Sequence, residues 1–330
     1  MDKLLLGLDI GTTHCKAGLF DPEGTGIAFA STPTLTRRSA EGYSFYQPQE
    51  LWETVLKVVR EVMQKVTGEG RSRMDIAAVG ISSMSETGLL VDRETSEHRS
   101  IFLPWFDTCS APQSEAIRQR SNPETLFKRS GLHFNYKCGL AKILFLLEQN
   151  PARRKTQAEG AVWLSVADYI AFCLTGAFVT DPSLAGRTGA YHIDRCEWDK
   201  EWVEDLGFNT DLFPTVLPSG AVAGVTLEGR ELPEGIPVSI AGHDHMCGAF
   251  AAGAIHPGTV FDSLGTAETL IGVMDEPHLG EDAFGSGLLY SRHAGNRLFW
   301  MGALSTAGGS IEWLRGILGD PPLSYADLSS

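Results

Sequence analysis

The stretch Leu4–Asp21, LLLGLDIGTTHCKAGLFD, decides the fold. Two apolar runs, Leu4–Ile10 and Ala17–Phe20, flank a polar turn of Gly11, Thr12 and Thr13. Short apolar runs around glycine and small hydroxyl residues read as a hairpin. Asp9 closes the first run, where an acid is a poor strand former and needs a reason to be there. Gly11 lets a ligand approach the backbone closely, and Thr12 and Thr13 add hydroxyl and N–H donors beside it. Lys16 follows on the strand leading away. A carboxylate, a Gly-Thr-Thr turn and a cation suit a metal–phosphate complex, with donors on the phosphate oxygens and the acid on Mg²⁺ through water. An ordinary hairpin with a polar turn fits the same residues, and the pattern alone leaves both readings open.

At 330 residues the chain has room for about two domains and a large core. The formal net charge of −14 argues against a nucleic-acid binder, which needs a basic face. The six cysteines (15, 109, 138, 173, 196 and 247) form no C-x-x-C pair and read as reduced thiols of a cytoplasmic protein. Asp9 breaks the first apolar run too early for a secretory signal, and no window approaches 18 uninterrupted apolar residues, so no membrane partner is expected.

Downstream, Pro48 starts a helix in which Leu51, Val55, Val58, Val59, Val62 and Val66 recur at helical spacing. Ile76–Ser83 reads as a buried strand that leads into Ser85 and Glu86, and α/β sites gather at strand ends. Trp105 and Asp107 suit a sugar, ring against carbohydrate face and acid on its hydroxyls. By itself this segment favours the plainer reading, a core Trp followed by an Asp helix cap. The residues from Asp181 to Gly189 read as a polar, glycine-punctuated loop. Val238–Gly253, VSIAGHDHMCGAFAAG, reads as a strand ending in Gly242, then His243-Asp244-His245, then a helix from Met246. Asp244 thereby lies beside a helix start, where an ionised acid is stabilised. The H-x-H spacing, even with His256, is too weak a signal for a transition metal. Thr259–Leu264, Gly265-Thr266 and Thr269–Met274 form a second strand–turn–strand of the opening type, so two related domains facing one another across a phosphate are expected.

These stretches, in this order, resemble the FGGY carbohydrate kinases, relatives of glycerol kinase and xylulokinase. The resemblance rests on Asp9-x-Gly11-Thr12-Thr13-x-x-Lys16, Gly80-Ile81-Ser82 to Asp92, Trp105-x-Asp107, Asp168-Tyr169 with Leu174-Thr175-Gly176, Thr180-Asp181-x-Ser183, Gly242-His243-Asp244 and Gly265-Thr266. It implies an α/β fold of the actin/hexokinase-like, ribonuclease H-like ATPase type: a mixed sheet flanked by helices, in two related domains of which the second is incomplete here. It implies an ATP-dependent kinase acting on a hydroxyl of a small sugar or polyol, with ATP and Mg²⁺ as cofactors and Asp244 as catalytic base. Asp9 would organise the metal, while Gly11, Thr12, Thr13, Lys16, Gly265 and Thr266 hold phosphates. Ser85, Glu86, Trp105, Asp107, Asp244 and His245 would line the acceptor pocket. Two departures stand out. Cys109 occupies a position where many members carry Arg, and Ser85-Glu86 replaces the Arg-Glu of glycerol kinases and the Met-His of xylulokinases.

Family members continue beyond the equivalent of Ser330. The expected division is therefore a sugar-binding and catalytic domain over residues 1–250 and the opening of a nucleotide domain over 251–330. Such a chain is expected to be a poor kinase by itself, and a homodimer stays open. The rival readings are an actin-fold phosphohydrolase and a truncated, non-catalytic sugar-binding or regulatory relative.

Overall fold

In the computed structural model the opening stretch is a hairpin: β1 (Leu4–Ile10) and β2 (His14–Phe20) pair antiparallel, Asp9 opposite Lys16. The model describes residues 3–67, 72–149, 158–264, 268–276, 279–295, 297–304 and 307–328. β2 starts at His14, ahead of its apolar run, because the ladder with β1 continues back to the turn. β3 (Gly26–Pro33) completes an antiparallel meander. Beyond the 20-residue helix α1 (Pro48–Thr67), β4 (Ile76–Ser83) lies parallel to β1 on its other side. Next come a two-stranded ladder of β5 (Gly88–Asp92) with β6 (Ala161–Ser165) and two helices, α2 (Gly139–Glu148) and α3 (Val166–Thr175). The chain re-enters the main sheet as β7 (Val222–Val225) and β8 (Pro237–His243), β8 parallel to β4. The sheet order is β7-β8-β4-β1-β2-β3, a mixed sheet.

One apolar core holds this unit together. The alternating residues Leu4, Leu6, Leu8 and Ile10 of β1 share it with Leu51, Val55, Val58, Val59 and Val62 of α1 and with Ala167 and Ile170 of α3. Fully burying each large aliphatic side chain contributes about 1.5–3 kcal/mol. Because β1, β4 and β8 are parallel, their carboxyl ends, Ile10, Ser83 and His243, meet at one edge. Ligands of open α/β sheets gather at such an edge.

The polar loop expected over residues 181–189 is instead a buried turn containing the short helix Pro182–Ala185. Asp181, Ser183, Arg187 and Thr188 are each at most 5% exposed. Burial is tolerated because Asp181 accepts hydrogen bonds from the amides of Ser183 and Leu184, which caps the turn internally. The helix after β8 begins at Asp244, two residues before the sequence reading, and runs Asp244–Ala251.

The remaining residues build an antiparallel four-stranded sheet. β9 (Val260–Leu264) pairs with β10 (Glu268–Met274), β10 with β12 (Arg297–Leu304), and β12 with β11 (Leu289–His293). The helix Gly308–Leu318 follows with Trp313 67% exposed. Among the described residues no helix is long and apolar enough to cross a membrane, and all six cysteines are free thiols.

Candidate active site

The opening turn is tied down by its own backbone. The Gly11 amide donates to the His14 carbonyl at 3.0 Å, and the Thr34 amide and hydroxyl donate to the carbonyls of Thr13 and Gly11 at 2.9 and 2.8 Å. At its entry Asp9 accepts a hydrogen bond from Ser82 Oγ at 3.1 Å and pairs with Lys16 Nζ at 3.3 Å. Both partners follow from pairing: Asp9 is level with Ser82 of β4 and with Lys16 of β2. The pair is largely exposed, and such pairs contribute at most about 1 kcal/mol, so Asp9 holds Lys16 only weakly.

Two strands away, about 10 Å at ordinary strand spacing, β8 ends in an irregularity. The register with β4 shifts between Ile240 and Gly242, and Gly242 takes φ +123°. A Cβ there would lie 2.4 Å from Ser183 Oγ and 2.7 Å from Asp181 Oδ2, so only glycine fits. Ser183 Oγ accepts from the His243 amide at 2.9 Å and is itself held by the Asp181 carboxylate, which also takes the Ser219 hydroxyl. Burial pushes Asp181 above its ordinary pKa, against these hydrogen bonds.

Asp244 Oδ1 accepts from the His245 amide at 2.7 Å and lies 3.2 Å from His243 Nε2. Its Oδ2 has no hydrogen-bond partner among the described residues. Burial works against the charged form, but His243 and His245 outweigh it and hold Asp244 below its ordinary pKa. His245 in turn is lowered, by burial first and then by the charge of His243. An ionised carboxylate with one oxygen oriented and one open is the geometry of a proton acceptor. The ligand atoms of His243, Asp244 and His245 lie within 4.8 Å of one another. The imidazole of His243 is already engaged with Asp244, and His256 is not part of the cluster.

The wall facing this strand end is built from distant segments. Glu86 takes φ +57°, a left-handed conformation that a non-glycine residue adopts at a cost of order 1–3 kcal/mol. Its carboxylate forms a buried ion pair with Arg187 Nη2, and its other oxygen receives Ser85 Oγ at 3.4 Å. Burial would raise the Glu86 pKa, but Arg187, His243 and Lys137 together hold it below its ordinary value. Trp105 Nε1 donates to Thr12 Oγ1 at 2.8 Å, joining this wall to the opening turn, and Lys137 Nζ sits 5.2 Å from the centroid of the Trp105 rings.

The description "FGGY family of carbohydrate kinases, N-terminal domain" matches residues 4–251. The chain belongs to the FGGY family. It is 30% identical to the glycerol kinase of Thermus brockianus over 326 residues, 96% of this chain and 65% of that protein. Against glycerol kinase 2 of Thermotoga maritima identity is 28%, over 95% of this chain and 63% of that protein. In fold it is similar to Plasmodium falciparum glycerol kinase crystallised with ADP (TM-score 0.87, 21% identity, 97% of this chain and 64% of that one). It is equally similar to a ligand-bound xylulose kinase of Lactobacillus acidophilus (TM-score 0.86, 20% identity, 97% and 64%). The chain thus spans about 62–65% of the length of the curated relatives it matches. The expected actin/hexokinase-like architecture is the observed one.

Within this family frame, Asp9, Thr12, Ser85, Glu86, Trp105, Asp244 and His245 are brought to one edge of the sheet. Thr13 is tied into the same turn through its carbonyl. Asp107 stands apart from Trp105: its oxygens accept from the amides of Ser44 at 2.6 Å and Cys109 at 2.9 Å. Burial opposes its charge, but those amides hold it below its ordinary pKa. Gly265 and Thr266 lie outside the described residues. Sequence reasoning missed Lys137, Lys142 and Arg187. Lys142 is wholly buried on α2, its amine donating to the Pro104 carbonyl at 2.8 Å, and burial lowers it to about 8. A lysine within an otherwise apolar helical run, LAKILFLL, was the available signal.

Proposed function

We propose that this protein transfers the γ-phosphoryl group of ATP to a hydroxyl of a small sugar or polyol, with Asp244 as the general base. The observation that carries the reading is Asp244 itself. It is an ionised carboxylate with Oδ1 fixed and Oδ2 open, the first residue past a bulged strand end two strands from the Asp9 turn. Transfer passes through a loose transition state in which positioning and charge neutralisation dominate, so a carboxylate of low basicity suffices to take the proton late. The acceptor oxygen attacks the γ-phosphorus as the bond to the β-phosphate oxygen breaks, and ADP leaves. Thr12, Thr13 and Lys16 would hold phosphate oxygens, with Gly265 and Thr266 in the same role from the second unit.

Asp9 with Ser82 offers hard oxygen donors, which suits Mg²⁺ held by one carboxylate and waters. When bound, that ion supplies charge neutralisation on the phosphates. Ser85, Glu86, Trp105 and His245 form the acceptor wall, and Asp107 braces it through the backbone of residues 44 and 109. The division we favour is a catalytic unit over 1–250 and the opening of a nucleotide unit over 251–330. The relatives named for glycerol, xylulose and gluconate supply candidate acceptors. Replacing Asp244 by Asn in the natural gene product tests the assignment. Turnover should fall by about 10²–10⁴-fold while acceptor binding, read by calorimetry, persists. A variant with more than a few per cent of the parent turnover contradicts the role.

A further inference from the structure

The junction that carries Asp244 holds a second arrangement besides the proton acceptor. His243, Asp244 and His245 are consecutive, but the chain passes from β8 into a helix between the first and the second. The break keeps their side chains from alternating as they would along a strand. Their metal-capable atoms instead lie within 4.8 Å of one another, and the two imidazole rings stand edge to face with centroids 5.4 Å apart. His243 Nε2 and Asp244 Oδ1 are 3.2 Å apart. Ligands at 2.0–2.1 Å from a tetrahedral ion are separated by about 3.3 Å, so this pair already has the spacing of two corners. The His245 nitrogen lies within a side-chain adjustment of the third. Among the described residues the His245 ring makes no hydrogen bond, only its amide does, and His243 Nδ1 is buried without a partner. Nothing on that side fixes the His243 tautomer, so Nε2 can turn either a hydrogen toward Asp244 or a lone pair toward an ion. Arg187 and Glu86, the charged groups beyond the cluster that reach His245, oppose one another, which leaves Asp244 as the counter-charge.

We propose that His243, Asp244 and His245 form a site for Zn²⁺, and that filling it stops transfer by taking Asp244 out of its role as base. This rests on the kinase reading above and adds a regulation of the same carboxylate. Two imidazoles and one carboxylate suit Zn²⁺, whereas Mg²⁺ prefers oxygen donors and gives up its waters reluctantly. The Asp9 turn offers the opposite set, oxygens alone. Ligand chemistry therefore sorts the two ions between the two places, and excess Mg²⁺ does not displace Zn²⁺ from the histidines. With the ion in place, the carboxylate is committed to the metal and has little basicity left for the acceptor proton. The water completing the ion's coordination stands where the acceptor hydroxyl has to approach.

The test uses the natural gene product freed of metal by chelation, with Co²⁺ as a coloured stand-in for Zn²⁺. Four-coordinate Co²⁺ absorbs visible light far more strongly than six-coordinate Co²⁺, and a thiolate ligand adds a near-ultraviolet band. Co²⁺ should give the strong visible spectrum without the thiolate band, and added Zn²⁺ should abolish it. His245→Gln should weaken Co²⁺ binding by at least about 10–100-fold, the loss that removing a mere supporting partner already brings. His256→Gln, outside the cluster, should leave the spectrum unchanged, and a thermal melt shows each variant folded. In an assay of ADP release with excess Mg²⁺, Zn²⁺ should inhibit competitively with the acceptor and not with ATP, and a chelator should reverse it. His245→Gln, compared with its own uninhibited rate, should need correspondingly more Zn²⁺. A weak six-coordinate spectrum, a thiolate band, or binding indifferent to His245→Gln overturns the site. Inhibition competitive with ATP, or full activity with the site filled, overturns the regulation and leaves the kinase reading standing. Transfer to no acceptor, in the Zn²⁺-free protein with ATP and Mg²⁺, overturns the kinase reading and the regulation together, while the spectrum still decides the site.

Discussion

Arg187→Met isolates the buried ion pair with Glu86 on which the proposed acceptor wall depends. The substitution keeps the aliphatic stem and removes the cation, leaving the Glu86 carboxylate 13% exposed with no direct counter-charge. Removing one partner of a buried pair destabilises by about 3–5 kcal/mol, because the remaining charge loses compensation without regaining water. The sign of the pH dependence should also reverse. In the parent, Glu86 is held below its ordinary pKa, so it contributes stability above the unfolded value that is lost as pH falls. In the variant, burial dominates and raises the folded pKa. Stability is then present below the unfolded value, near 4.3, and declines as pH rises through the folded one. Urea unfolding at pH 5 and pH 8, followed by tryptophan fluorescence, reads both effects. The double variant Glu86→Gln/Arg187→Met should recover most of the loss, since no buried charge remains, and the cycle gives the coupling directly. A single-variant loss under about 1 kcal/mol, or equal losses at the two pH values, refutes the reasoning.

Three further outcomes follow from the same geometry. Gly242→Ala should lower turnover at least tenfold with little change in acceptor affinity, because its Cβ would collide with Ser183 and Asp181 and displace the strand end that carries Asp244; steady-state kinetics with a kcat–KM split checks this. Asp168, buried and raised to about 7, contributes stability that is present below about pH 4 and is lost as pH rises toward 7, so Asp168→Asn should flatten the stability profile between pH 4 and 7 in urea titrations. Trp105→Phe keeps the ring but loses the hydrogen bond to Thr12, and it should raise the ATP KM as well as the acceptor KM, whereas an effect on the acceptor alone would show the two walls to be uncoupled.

The hairpin and the parallel strands behind it were legible because alternation along β1 and the continuous apolar run of β4 are local signals, fixed by sheet geometry. Asp244 was legible for a similar reason: it directly follows its strand. The proposed acceptor wall was not. Glu86 and Arg187 are 101 residues apart, and nothing local in the turn around Arg187 marks it as buried rather than solvated. Lys137 precedes its helix in a segment without periodicity, and its meaning arises only when Trp105 is placed beneath it. Trp105 and Asp107, two positions apart, read as a pair, yet the chain turns between them. The indole meets Thr12, while the carboxylate meets the amides of Ser44 and Cys109. Spacing along a loop does not fix direction as it does along a strand or helix.

The central claim is transfer to an acceptor hydroxyl rather than to water, and stoichiometry decides it. With the natural gene product, ATP and Mg²⁺, ADP release should depend on added acceptor and equal the phosphorylated acceptor formed, mole for mole, with inorganic phosphate near background. Acceptor-independent release of ADP and inorganic phosphate in equal amounts would contradict the account and make the protein a phosphohydrolase.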